Sequence, residues 1–512
     1  MRLKLGAIRF KKLPKAIRQS HSLLIVCRDF AYRKMDQTIY ISGPEPKLEL
    51  SYNDVWLPGL YSRRILCFEL PPTSSHERVL HVLKRALQSL IDGTPELGSI
   101  VELVPSERDG QLPWKALRPG NGIELIVKDL LASFPSFEEL EAKNFLLPEF
   151  KDKVLMPVAV EIQAEPNPQT RVQPNLIEGG VLLSFCECHA LADGNGMNII
   201  MAALGEECKR AAQSPEKLPP HPLDVDRSVF NDLGEVETDL KDHPAYGFLE
   251  GAWLPHTAPV EAPKEDSEQA APAEPPIPSE PAPEVTVHSY RITSPSAAAL
   301  KAAATTDSHR ISTHDAIAAL IWRTTILARH KAGKFSSPDQ ISTITLPVNA
   351  RKHLAIPKTW IGNCVYFLAA SFPVSEIIKP TSLPLMASAI RTALNAITPN
   401  KVAGLMSLRR RHPYDITWWP FFEINKPWIV GMTSLYHSEL YGTDWGEAFG
   451  IVRHFTTSDE GAVGGFRRCG AVGAKFGDGG GGCDVAVGFD GEEIGFVRRD
   501  GVWNEYFSEL GA

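Results

Sequence analysis

Residues 184–197 read SFCECHALADGNGM. His189 stands at the end of an apolar run, Asp193 follows four residues later, and Gly194 comes directly after it. A neutral imidazole, with an ordinary pKa of about 6.5, can accept a proton from a weakly acidic group near neutral pH. The same residues also admit one corner of a metal site, with Cys186 and Cys188 as further ligands, or a core histidine satisfied beside a turn.

The elements that must position these residues separate the three readings. GGVLLSFCECHA (179–190) has the near-continuous apolar run of a strand buried on both faces. DGNG (193–196) forces a turn, and GNGMNIIMAALGEECKRAAQ (194–213) has the pattern of a helix. A histidine at such a strand end is placed to reach a cleft. Alternation along the strand puts Cys186 and Cys188 on one face and Glu187 with His189 on the other. That separates the would-be ligands, and no second pair is spaced to complete a tetrahedron, so no metal is expected. Two further strings carry less. GDGGGGCD (477–484) lacks the strand-before, helix-after setting of a phosphate loop and reads as a turn. No G-x-S-x-G occurs, which removes the usual marker of a serine hydrolase.

The chain has 512 residues, too many for one ordinary core, and about two domains are expected. With 43% hydrophobic and 22% charged residues it has the composition of a globular protein. Its net charge of −8, without a basic stripe, argues against nucleic acid. Eight scattered cysteines without a CxxC pair read as reduced thiols, and no apolar run is long enough to span a membrane. Residues 1–45 form a basic extension, expected to be disordered. Its acid-poor start has the composition of an organelle transit peptide as well, but the cytosol is the expected location.

YSRRILCFEL (61–70), GIELIVKDL (122–130), VLMPVAVEIQAE (154–165) and the strand before His189 read as strands. Leu80, Val82, Leu83, Leu87 and Leu90 mark a helix after the serine pair at 74–75. Residues 255–287 are Pro/Ala/Glu-rich, cannot bury enough apolar area to fold, and are expected to be disordered. STHDAIAALIWRTTILARHK (312–331) is a strong helix with Ile317, Leu320, Ile321, Thr324 and Leu327 on one face. ISTITLPVNAR (341–351) and PWIVGMTSLY (427–436) are strands, and the tail from 479 has β character with turns. Strands and helices alternate without strict βαβ regularity, so the expected class is α/β with mixed sheets.

Several strings fall into one order. The chain resembles the acyl-CoA-dependent acyltransferases called BAHD, of chloramphenicol acetyltransferase-like fold, and is most similar to their fungal trichothecene 3-O-acetyltransferase-like members. His189-Ala-Leu-Ala-Asp193-Gly194 matches the family's HxxxDG. LPVNAR, ending at Arg351, matches VNxR; IGNCVYF supplies the Gly-Asn segment with Gly362 and Asn363. TDWGEAFG (443–450) matches DFGWG, with the aromatic moved to second place and Glu447 in fourth. LSYNDVWLPGLYSRRILCFEL (50–70) is similar to the fungal opening segment. The resemblance runs from about residue 48 to 508.

The resemblance implies two chloramphenicol acetyltransferase-like domains, each a mixed sheet with helices. They would span residues 46–225 and 289–512, joined by a long crossover at 226–288. It implies no permanently bound cofactor, acyl-CoA (acetyl-CoA by default) as co-substrate, a small-molecule alcohol as acceptor, and a monomer. His189 would be the general base. Asp193 and Gly194 would hold the turn, with Arg351 as the ion-pair partner of Asp193 and Asn363 in support. Asp444, Trp445 and Gly446 would support the domain fold and the CoA site. The alternatives are a condensation-type enzyme acting on carrier-bound thioesters, which would show HHxxxDG where Cys188 stands here, and an inactive relative serving as a binding protein.

Overall fold

The structure is a computed structural model. It describes residues 37–511 apart from 56–58, 105–113, 160–162, 164–165, 232, 249–283, 307–309, 413–415, 419–425, 460–468 and 478.

Strands are numbered along the chain as β1 (Gln37–Ile41), β2 (Tyr61–Glu69), β3 (Ile123–Asp129), β4 (Thr170–Ile177), β5 (Gly180–Cys188), β6 (Val285–Ile292), β7 (Ile341–Asn349), β8 (Val365–Pro373), β9 (Ile429–Ser434), β10 (Val452–Thr456), β11 (Gly470–Lys475), β12 (Cys483–Asp490) and β13 (Ser508–Leu510). Two mixed sheets dominate. The first has six strands in the order β1-β3-β4-β5-β2-β10; the second has seven, β8-β7-β9-β11-β12-β6-β13. β3 runs parallel to β4, and β9 runs parallel to both β7 and β11, while the remaining pairs are antiparallel. This is the two-sheet, mixed architecture expected from the sequence.

Three helices matter for the site. In α1 (His76–Gly93) the Ser75 hydroxyl caps the Arg78 N–H, and Val79, Val82, Leu83, Ala86, Leu87 and Leu90 are buried. In α2 (Gly194–Gln213) Asp193 is the cap, and Met197, Ile200, Met201, Leu204 and Cys208 pack with α1 against the first sheet. In α3 (Thr313–Lys331) Ser312 and Asp315 form a reciprocal capping box. This helix is buried on nearly every side rather than along one stripe, because the second sheet and further helices surround it.

Several expectations are corrected. Part of the basic extension is ordered: residues 37–41 form the edge strand β1, paired antiparallel with β3 from Gln37↔Val127 to Ile41↔Ile123. Residues 1–36 lie outside the described residues. Of the Pro/Ala/Glu-rich stretch, 255–283 also lies outside them, but Val285–Val287 open β6. VLMPVAVEIQAE does not start as a strand: Asp152–Leu155 is a helical turn. The Leu155 carbonyl there is taken by the side chains of Gln173, Asn175 and Ser184 on β4 and β5, at 3.0, 3.2 and 2.6 Å, and so is not available to a ladder. In the tail, Gly491–Val497 and Gly501–Tyr506 are helical, each capped by an aspartate, Asp490 and Asp500. Finally, β10 comes from the C-terminal part of the chain yet pairs with β2 and closes the first sheet.

Candidate active site

Two strand ends meet at the site. β5 delivers His189 just past its last residue, Cys188. The β7–β8 hairpin delivers Arg351 and Asn363, because the pair Asn349↔Val365 closes its ladder and both residues lie in the connection beyond it. Two glycines record how closely these segments approach. A Cβ on Gly196, in the first turn of α2, would stand 2.1 Å from the Ile361 carbonyl oxygen. One on Gly362 would stand 2.2 Å from the Trp360 ring and 2.7 Å from the Arg227 guanidinium. No side chain fits at either place. Gly194, the glycine of the motif, has no such contact: its Cβ would come no nearer than 3.9 Å, to Arg64 Nη2.

Asp193 is buried and fully engaged. Its carboxylate takes a bidentate pair of hydrogen bonds from Arg351, Nη1 to Oδ2 and Nη2 to Oδ1, both at 2.9 Å. It also accepts from the N–H groups of Asn195, Gly196 and Cys364 at 3.1, 2.8 and 3.0 Å. Burial works to raise its pKa, but the Arg351 guanidinium and the Cys364 and Gly196 N–H groups together outweigh it and hold the carboxyl below its usual range. Every polar atom of this carboxylate is thus spent on the scaffold, and Asp193 is unsuited to proton transfer. Arg351 is equally tied: it donates to the carbonyls of Trp360 at 3.0 Å and Gly362 at 2.6 Å and lies over the Trp360 ring.

His189 is only half-buried, between buried neighbours on each side. Its N–H donates to the Leu60 carbonyl, and its ring Nδ1 lies 3.2 Å from Asn363 Oδ1. Burial lowers its pKa below the ordinary 6.5, and the Asp193 charge and the Asn363 contact counter part of that. The imidazole is therefore neutral near pH 7. Arg64, on β2, carries its guanidinium to the same corner and adds to the lowering; its Nε is buried without a hydrogen-bond partner among the described residues.

Four residues of this network carried no signal that set them apart in the sequence. Asp54 accepts from Asn363 and from Arg227; Arg227 also donates to the Leu191 carbonyl at 2.6 Å. Trp360 is clamped between the guanidinium groups of Arg227 and Arg351, 5.0 and 5.2 Å from its ring centre. Arg64 is the fourth. LSYND belongs to the opening segment of the resemblance, and nothing local in it points to residue 189.

The second motif lies elsewhere. Trp445 is buried in the core of the first sheet, 5.1 Å from the Phe68 ring and 5.7 Å from Phe449. A Cβ on Gly205 of α2 would collide with it at 2.7 Å. Asp444 forms an ion pair with Lys209 on the same helix, both about half exposed. Gly446 has φ +83°, a conformation that favours glycine, and packs on the Lys209 backbone. The segment thus fastens the C-terminal part of the chain to α2, as the strand β10 that follows does to β2.

The cysteines also differ from expectation. Cys186 packs with Ile65, Cys67 and Leu182, whereas Cys188 lies in the core shared with α1 and α2, so the two do not share one environment. Burial pushes the Cys186 thiol up to about 12. Among the described residues no group of three or more His, Cys, Asp or Glu could hold a metal ion. No described helix is long and apolar enough to cross a membrane.

The sequence profile of the trichothecene 3-O-acetyltransferase-like N-terminal domain matches residues 60–208. Enoyl-CoA isomerase/hydratase claC of Penicillium crustosum is 30% identical over 81% of this chain, which spans 46% of that longer protein. O-acyltransferase pigD of Monascus ruber is 26% identical over 88% of this chain and 96% of its own length. Among solved structures, F. graminearum TRI101 complexed with coenzyme A and T-2 mycotoxin superposes with a TM-score of 0.74, at 17% identity, over 91% of this chain and 100% of its own. The fold is the two-domain, chloramphenicol acetyltransferase-like one. In sequence the chain is similar to fungal O-acyltransferases and O-acetyltransferases, and its fold also matches that of vinorine synthase.

Proposed function

We propose that the chain moves an acyl group, acetyl by default, from acyl-CoA to a hydroxyl of a small secondary metabolite, with His189 as general base. The observation that carries this reading is the half-buried His189 ring, held neutral by burial and braced through Nδ1 on Asn363, which leaves Nε2 without a scaffold bond among the described residues. An alcohol does not ionise near neutral pH. It needs a base as its oxygen attacks the thioester carbonyl. His189 takes that proton, the tetrahedral oxyanion collapses, the C–S bond breaks, and the CoA thiolate leaves and recovers the proton from His189. No covalent enzyme intermediate is required.

Asp193 and Arg351 serve as scaffold, fixing the turn that carries His189. On this reading the first sheet, with the strand added by Val452–Thr456, is the core of an N-terminal domain and the second sheet that of a C-terminal domain, the substrates meet at His189 between them, and the working form is a cytosolic monomer. The acceptor is a hydroxylated small molecule of fungal type, in keeping with what the relatives' names record. Incubation with acetyl-CoA and an alcohol panel, followed by detection of free CoA thiol and an acyl mass shift in the acceptor, tests the reading. Undiminished transfer by His189→Gln would overturn it.

A further inference from the structure

Asp54 is remote from His189 in sequence and fully buried. Its Oδ2 accepts from the Ser51 N–H and hydroxyl at 2.8 and 2.7 Å and from Arg227 Nε at 3.0 Å. Its Oδ1 accepts from Asn363 Nδ2 at 2.7 Å. That same Nδ2 also donates to the His189 carbonyl at 2.9 Å, and the other end of the amide, Oδ1, faces His189 Nδ1 at 3.2 Å. Only one orientation of the Asn363 amide satisfies all of these partners. Reversed, its oxygen would face a carboxylate oxygen and a carbonyl oxygen, none of which can donate. With Asn363 Oδ1 toward the ring, Nδ1 must carry the ring proton, and the lone pair stands on Nε2.

We propose that Asp54 is a positioning residue for acyl transfer: through the Asn363 amide it selects the His189 tautomer whose Nε2 can accept the hydroxyl proton. The inference rests on His189 being the general base. It joins three distant stretches, residues 54, 189 and 363, into one relay. Asp54 Oδ1 is the nearest of three oxygen acceptors around Asn363 Nδ2, with the carbonyls of His189 at 2.9 Å and Ala190 at 3.4 Å, and it is the side-chain one whose removal loosens the hold on the amide. An asparagine at position 54 could turn its own NH2 group toward Asn363, and the amide could then present a donor to His189 Nδ1 and move the ring proton to Nε2. Arg227 and Ser51 hold the carboxylate in place without touching the imidazole.

The test uses the full chain labelled with 15N-histidine, with the His189 signals assigned by their loss in His189→Gln. Wild type is expected to show the proton on Nδ1. Asp54→Asn is expected to show the second tautomer, with a ~100-fold lower kcat and unchanged KM for acyl-CoA. Asp54→Asn combined with Arg227→Gln leaves no unpaired buried charge, so it provides the same readouts should the single variant not fold. In an Asn363→Ala background, Asp54→Asn should lower kcat no further, because the relay is already cut. An unchanged His189 tautomer in a folded Asp54 variant, or independent additive losses from Asp54→Asn and Asn363→Ala, overturns the proposal. The ring spectra need no turnover, so a failure of His189 as base would be seen separately, as full activity in His189→Gln.

Discussion

The segment 189–194 matches its family motif in full and the segment 443–450 matches a second one with its aromatic displaced, and the two do different work. Around His189 the polar atoms are mostly aimed: Asp193 is saturated by Arg351 and three backbone N–H groups, and the imidazole keeps a free edge. Around Trp445 the forces are those of packing. An indole wedges between Phe68, Phe449 and the bare backbone of Gly205, and exposed ion pairs join Asp444 to Lys209 and Glu447 to Arg78. A motif match therefore locates a segment without telling whether chemistry or tethering holds it there. That distinction comes from which atoms are left unsatisfied and from where the side chain is buried.

The comparison can be broken by substitution. His189→Gln should reduce kcat by about 10²–10⁴-fold without changing the melting temperature, since general-base removal costs that much; a comparable loss of stability would instead make His189 part of the scaffold. Asp193→Asn should lose about 3–5 kcal/mol of stability, because Arg351 would be left as an uncompensated buried charge. In whatever fraction stays folded, the acid limb of kcat/KM should move to lower pH. The working form of His189 is the neutral one, so activity falls as pH drops through its pKa, already below 6.5, and the Asp193 charge is one of the influences raising that pKa. A limb that moved upward would mean Asp193 acts otherwise. Trp445→Ala should destabilise by about 3–5 kcal/mol through an unfilled core cavity. Its pH profile per folded molecule should match wild type, and a shifted limb there would tie the second motif to the chemistry. Asp444→Ala is the smallest change: the pair with Lys209 is half exposed, so less than about 1 kcal/mol and no change in kcat are expected from thermal melts and assays.

Much of the fold was legible because it is written locally. The helix starting at Thr313 follows from Ser312 and Asp315, which form a capping box in the structure, and α2 starts where Asp193 and the glycines after it require. The failures share a cause. VLMPVAVEIQAE has strand-like residues, but side chains on two neighbouring strands claim the Leu155 carbonyl. Residues 37–41 have the composition of the basic extension, and pairing with the free edge of β3 makes a strand of them. In each case a partner distant in sequence decides the local conformation.

The same division runs through the site. By itself the sequence determined that a histidine ends a buried strand, that a turn and a capped helix follow, and, through ordered resemblance, that Arg351 and Asn363 belong with it. Residue type and short-range spacing carry such information, because caps, turns and strand periods act over a few residues. Only the tertiary structure decided that Asp54, Arg227 and Trp360 complete the network, that Gly196 rather than Gly194 is the glycine the packing requires, and that Trp445 belongs to the core. These depend on where strand ends and hairpins from both sheets come to rest, and hydrogen bonds between residues 54, 189 and 363 exist only once the two sheets have closed around them.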